Sequence, residues 1–157
     1  MEILLFGALL AFFIWRSNRK KQKATLEAYQ HALEYANAMN AAPYLKGDGS
    51  FSQEVVGESF YKDSFKTIRA YIEQNHPGED EVVCFLVADP SNRFDKNAVR
   101  VMAGDLQVGH IPREIADMVQ GQLNDLGGGA KVTGRFHFGK HNSVRLDMKI
   151  PLEIKEE

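Results

Sequence analysis

The stretch Asp89–Arg113, DPSNRFDKNAVRVMAGDLQVGHIPR, decides how this chain folds. It opens with Asn and Asp residues that favour turns because their side chains bond nearby backbone. A strand is expected over Ala98–Met102, a turn at Ala103-Gly104-Asp105, a returning strand over Leu106–His110, and a helix entered at Pro112, where a missing N–H costs nothing. Downstream, Ile115, Met118, Val119, Leu123 and Leu126 recur at helical spacing, and the run Gly127-Gly128-Gly129 stops the helix. Two closing strands follow, Lys131–Phe138 and Ser143–Ile150. The second alternates, with Val144, Leu146, Met148 and Ile150 inward and Arg145, Asp147 and Lys149 outward. Upstream, Val82–Val87 reads as a short buried strand. Before it, the pattern gives a strand over Glu54–Tyr61 and a helix capped by Asp63, with Phe65, Ile68, Tyr71 and Ile72 on one face and His76-Pro77-Gly78 as its stop. About six short strands with one or two helices among them make an α+β domain, a small partly open β-barrel resembling an OB-fold, preceded by a long N-terminal helix.

That helix begins in a different chemical register. Residues Ile3–Trp15, ILLFGALLAFFIW, are apolar on every face, so they do not form an amphipathic surface helix. Their helical length is about 20 Å against a hydrocarbon core of roughly 30 Å, a short span that Trp15 and the stem of Arg16 extend. Positive charge follows the apolar run instead of preceding it, unlike a cleaved signal peptide. The expectation is a single-pass anchor in the cell membrane, N-terminus out and globular domain cytoplasmic, with Arg16, Arg19, Lys20, Lys21 and Lys23 at the lipid headgroups. Leu26, Tyr29, Leu33, Ala36 and Met39 continue the helical spacing to Asn40, Pro43 ends it, and Lys46–Ser50 reads as a linker. The organisation expected is therefore an anchor with basic flank over residues 1–23, helix and linker over 24–50, and a folded domain over 51–157.

Charge narrows the function. The chain of 157 residues carries 19 Lys and Arg against 21 Asp and Glu. Five of the bases but only one acid, Glu2, precede Ala24, which leaves 14 bases against 20 acids beyond it, a net of −6. Such a domain does not coat nucleic acid indiscriminately, and any such binding has to be local. The single Cys84 lies in an apolar run, which excludes an internal disulfide and a multi-cysteine metal site. No Gly-rich phosphate loop and no nucleophile-base motif occurs, so the chain is expected to be non-enzymatic and without cofactor. His137 and His141 flank a turn but lack further soft ligands, and no metal site is assigned to them.

Binding chemistry is better represented. The closing hairpin carries Lys131, Arg135, Lys140, Arg145 and Lys149 against Asp147. Phe60, Tyr61, Phe94 and Phe138 fall at strand ends or loops where a base could stack, Asp95 can accept a sugar hydroxyl, and His110 and Arg113 stand at the start of a helix. Each has a plainer reading, since Asp89, Asn92, Asp95 and Asn97 also suit a self-bonded turn, and rim aromatics often cover a core.

The motifs VVGESFY at Val55–Tyr61, DPSNRFDKNAVRV at Asp89–Val101 and VGHIPREIADMV at Val108–Val119 resemble the HIRAN domain. That family occurs at the N-terminus of Swi/Snf-type helicases that remodel stalled replication forks, and as stand-alone bacterial proteins, which this chain resembles more. The resemblance implies an OB-like barrel that captures the 3′-hydroxyl end of single-stranded DNA. By that likeness Phe60 and Tyr61 stack on terminal bases, Asp95 beside Phe94 receives the 3′-hydroxyl, His110 and Arg113 hold phosphate, and Phe138 closes the pocket. The fork remodelers carry an Arg-Tyr pair where this chain has Ser59-Phe60, and the segment Lys62–Asp80 is longer here. The competing expectation is a membrane-tethered scaffold that uses the same barrel to recruit a protein.

Overall fold

A computed structural model describes residues 2–156, with side chains described from Arg16 onward. The chain divides into two compact units, residues 1–40 and 41–157. The first is one helix, α1 (Glu2–Ala41). The side chains of the apolar run Ile3–Trp15, on which the anchor expectation falls, lie outside the described part. Among the described residues no helix is long and apolar enough to cross a membrane. The stripe Leu26, Tyr29 and Leu33 is largely exposed.

The second unit is built on a six-stranded antiparallel sheet: β1 (Gln53–Glu54), β2 (Glu81–Ala88), β3 (Val99–Ala103), β4 (Leu106–His110), β5 (Gly129–His137) and β6 (Ser143–Asp147), in the order β1-β6-β5-β2-β3-β4. The sheet curls because one short segment serves both edges. Gln53 and Glu54 pair with β6, while Val56 two residues later exchanges both backbone hydrogen bonds with His110 of β4, at 2.9 Å each way. This is the partly open, OB-like barrel expected from the sequence. Gly109 is what allows the closure, since a Cβ there would stand 2.5 Å from Val55 Cγ1 and 2.6 Å from the Val56 carbonyl oxygen.

Two helices pack on the curled sheet, α2 (Lys62–Asn75) burying Phe65, Ile68 and Ile72, and α3 (Arg113–Asp125) burying Ala116, Val119 and Leu123. They meet the inward rows of the strands, including Leu86, Val99, Val101, Val108, Val132, Val144 and Leu146, all fully buried or nearly so. Cys84 lies in this core, where desolvation pushes its thiol up to about 12 and leaves it unreactive.

Several expectations need correction. The strand Glu54–Tyr61 is only Gln53–Glu54, because Gly57 takes a left-handed turn (φ 82°) and Glu58–Phe60 winds into a 3-10 helix. Asp63 does not cap α2. It lies inside the first turn, and Tyr61 occupies the cap position. Tyr71, expected on the buried face, is exposed against the ring of His76. The last strand ends at Asp147 rather than Ile150, since β5 at Lys131 is already paired by the chain before the barrel: Leu45 donates to the Lys131 carbonyl and Lys131 donates to that of Pro43, both at 2.8 Å.

The same bonds show that residues 41–50, read as the end of a helix and a linker, are part of the folded unit. Leu45 is 2% exposed in the core. Lys46 N–H donates to Glu153, Lys155 N–H donates to Tyr44, and the Tyr44 hydroxyl meets Thr133 Oγ1 at 2.7 Å. Asp48 and Gly49 both donate to the Asp147 carboxylate.

Candidate nucleic-acid interface

The loop between β2 and β3 is organised by its own polar side chains. The Asp89 carboxylate accepts from Ser91 Oγ at 2.9 Å, and Asn92 Oδ1 accepts the N–H groups of Phe94 and Asp95 at 3.0 and 3.2 Å. Asp95 Oδ1 in turn accepts the N–H of Asn97 at 2.9 Å. The plainer reading of these residues as a self-bonded turn therefore holds for one oxygen of Asp95 and leaves the other, Oδ2, turned to Arg113 at 3.9 Å. Helix α3 fixes the loop from below, with Gln120 Nε2 donating to the carbonyl of Lys96 at 2.9 Å. The result is a hydrogen-bonded shelf that lifts the Phe94 ring, 87% exposed, into solvent.

Beside the shelf a second group forms around the barrel closure. Val56 locks the backbone of His110, and the ring of Tyr61 lies 6.2 Å from that of His110, tilted by 53°. Antiparallel pairing puts Arg100 of β3 directly opposite His110 of β4, on one face. The Arg100 guanidinium stands 3.8 Å from the Asp89 carboxylate, and its buried Nε has no hydrogen-bond partner. Burial is the main cause that holds His110 below its ordinary value; Asp89 opposes it and Arg100 adds to it. The Tyr61 hydroxyl is pushed up, again chiefly by desolvation. His110 is thus a neutral ring at neutral pH, and a phosphate brought near it would favour its proton.

The expected site residues fall into three places. Tyr61 and His110 touch, as do Asp95 and Arg113, and the short turn Ile111-Pro112 joins the two pairs. No side chain caps the α3 N-terminus, where the Ile115 N–H donates to the Pro112 carbonyl at 3.1 Å and Arg113 is 81% exposed. Phe60 stands 86% exposed on the 3-10 turn before Tyr61. Phe138 packs on other aromatics: its ring stacks on Phe136 at 5.9 Å and meets Phe65 edge-on at 6.4 Å, on the rim of a cleft it shares with Arg69, Glu73 and Asp80.

The basic closing hairpin looks different once its register is known. Arg135 lies opposite Glu81 and bonds it at 2.6 Å, Arg145 lies opposite Glu54 and bonds it at 2.8 Å, and Lys149 is 3.8 Å from Glu153. Three of its five cations are therefore neutralised by neighbours, and the hairpin face is not a free basic track. Sequence reasoning did not single out Arg100, although strand alternation carries the signal: Val99 and Val101 point inward, so Arg100 shares the outer face with His110. Among the described residues no group of His, Cys, Asp and Glu is placed to hold a metal.

Set against models of known families, residues 48–155 match the one described as HIRAN domain. No curated protein and no solved structure matches the chain.

Proposed function

Since the chain belongs to the HIRAN domain family, we propose that its barrel binds the 3′-hydroxyl end of single-stranded DNA without catalysing a reaction. The observation that carries this is the junction of β4 and α3, where Tyr61 and His110 stand in contact beside Arg100, and Asp95 faces Arg113. Stacking on Tyr61 and on the exposed Phe60 and Phe94 takes up bases with little regard to sequence. His110, Arg113 and the terminal N–H groups of α3 receive phosphate, and Asp95 Oδ2 accepts a hydrogen bond from the terminal hydroxyl. Phe138 closes the site from the side of the Phe65 and Phe136 rings it packs on. Arg100 supplies a cation on the same face, where this chain has Ser59 in place of the Arg of the fork remodelers.

The test is a fluorescence titration with oligonucleotides ending in a 3′-hydroxyl, a 3′-phosphate or only a blocked 3′ end with a free 5′ end. Preference for the first supports the reading, and equal affinity for all three refutes it. The same proposal places the domain at a membrane through residues 3–15, with the exposed bases Arg16–Lys23 at anionic headgroups. Flotation with anionic vesicles by the full chain, lost in a chain starting at Ala24, tests that part. The neutralised hairpin cations favour a second reading, a protein-recruiting barrel; nucleic-acid-free complexes that persist after nuclease treatment would support it.

A further inference from the structure

A cleft of about 530 Å³ opens between the 3-10 turn and the tip of the β5–β6 hairpin, lined by Glu58, Ser59, Lys62, Lys140, His141 and Asn142. Its volume is that of an ordinary ligand site. Lys62 comes from the first position of α2, and Lys140 and His141 come from the hairpin tip, so three basic side chains from two segments distant in sequence face one space. Among the described residues neither lysine has an ion-pair partner, whereas Arg135, Arg145 and Lys149 of the same hairpin each have one. The lone acid, Glu58, is half-buried, and its Oε1 accepts the N–H of Val144 at 3.4 Å. Desolvation raises its carboxyl pKa. Ser59 adds a neutral donor.

We infer that this cleft is a phosphodiester subsite, receiving the backbone of the same DNA strand on the 5′ side of nucleotides stacked on Phe60 and Tyr61. The inference rests on the DNA-end reading and extends it. Continuity of chain is the reason for choosing this occupant over a free anion: Ser59 and Lys62 flank Phe60 and Tyr61, so a strand stacked on these rings carries its next phosphates past the cleft. The two free cations that the paired hairpin withholds elsewhere are supplied here, alternating with aromatic side chains as in other single-strand tracks.

The experiment compares the full chain in detergent with a Lys62→Gln/Lys140→Gln variant, using oligothymidylates that end in a 3′-hydroxyl and run from a dinucleotide to an octanucleotide. Both lysines are exposed and unpaired, so the fold should tolerate the change. A Lys46→Gln/Lys155→Gln variant controls for net charge. The expected result is equal affinity of wild type and variant for the dinucleotide, with about tenfold weaker binding of the octanucleotide by the variant alone. Its salt slope should fall by about 1.4, two phosphates at about 0.7 each. Identical length and salt dependence in wild type and variant would overturn the subsite while leaving end recognition intact. Failure of the wild type to bind any oligonucleotide would overturn both.

Discussion

Replacing Asp95 by Asn separates the structural from the recognition role of this carboxylate. The side-chain oxygen that accepts the Asn97 N–H at 2.9 Å survives the substitution, so the turn keeps its bond. What is lost in the free protein is an ion pair at 3.9 Å with an Arg113 that is 81% exposed, a contact worth at most about 0.5 kcal/mol after solvent screening. Urea unfolding should therefore barely move. Binding should respond more strongly, since a hydroxyl donating to an ionised acceptor contributes about 1–1.5 kcal/mol more than one donating to an amide, or about tenfold in affinity for a 3′-hydroxyl end. A 3′-phosphate is repelled by the wild-type carboxylate and not by the amide, so its affinity should rise. The preference for hydroxyl over phosphate thus collapses from both sides. Anisotropy titrations with the two oligonucleotides read this directly. An Asp95→Asn protein that unfolds like the wild type and keeps its full preference would refute the role given to Asp95. Asp95→Ala, which also removes the turn bond, should lose about 1 kcal/mol of stability in addition.

Leu45→Ala should destabilise the domain by about 3 kcal/mol in urea, because a nearly buried side chain of the core leaves a cavity; a loss below about 1 kcal/mol would return residues 41–50 to the status of a linker. Phe60→Ala should leave stability unchanged and weaken single-strand binding by about 1–3 kcal/mol, whereas Phe138→Ala, stacked on Phe136, should reduce stability and binding together. Equal effects of the two on unfolding would contradict their placement. His110 has a folded value below its unfolded one, so its contribution to stability is present above about pH 6.5 and is lost as pH falls through the lowered value. DNA-end affinity should move the other way, rising about fivefold as pH falls through the same window, since phosphate favours the imidazolium. His110→Gln should flatten both profiles.

The sequence made the β3–β4 hairpin, the two packing helices and the inward row of β6 legible, because each has a hydrophobic period and a turn or stop residue of its own. The strand expected over Glu54–Tyr61 misled for a physical reason: the left-handed Gly57 ends it and turns the chain into the 3-10 corner that presents Phe60 and Tyr61. The segment Lys46–Ser50 looks like a linker since its partners are distant backbone groups and the Asp147 carboxylate, which leave no local pattern. The hairpin cations were countable, yet their neutralisation depends on Glu81 standing opposite Arg135 and Glu54 opposite Arg145, a matter of register. Of the candidate site, the self-bonded Asn-Asp loop was readable; the packing of Phe138 on Phe136 and Phe65 was not, because it follows from how α2 inserts Phe65.

The most direct measurement is a crystal structure of the protein with a short oligonucleotide ending in a free 3′-hydroxyl. Bases stacked on Phe60 and Tyr61, the terminal oxygen within hydrogen-bond distance of Asp95 Oδ2, and a phosphate against His110 and Arg113 are the expected result. An oligonucleotide bound by its 5′ end, or seated away from the β4–α3 junction, would contradict it.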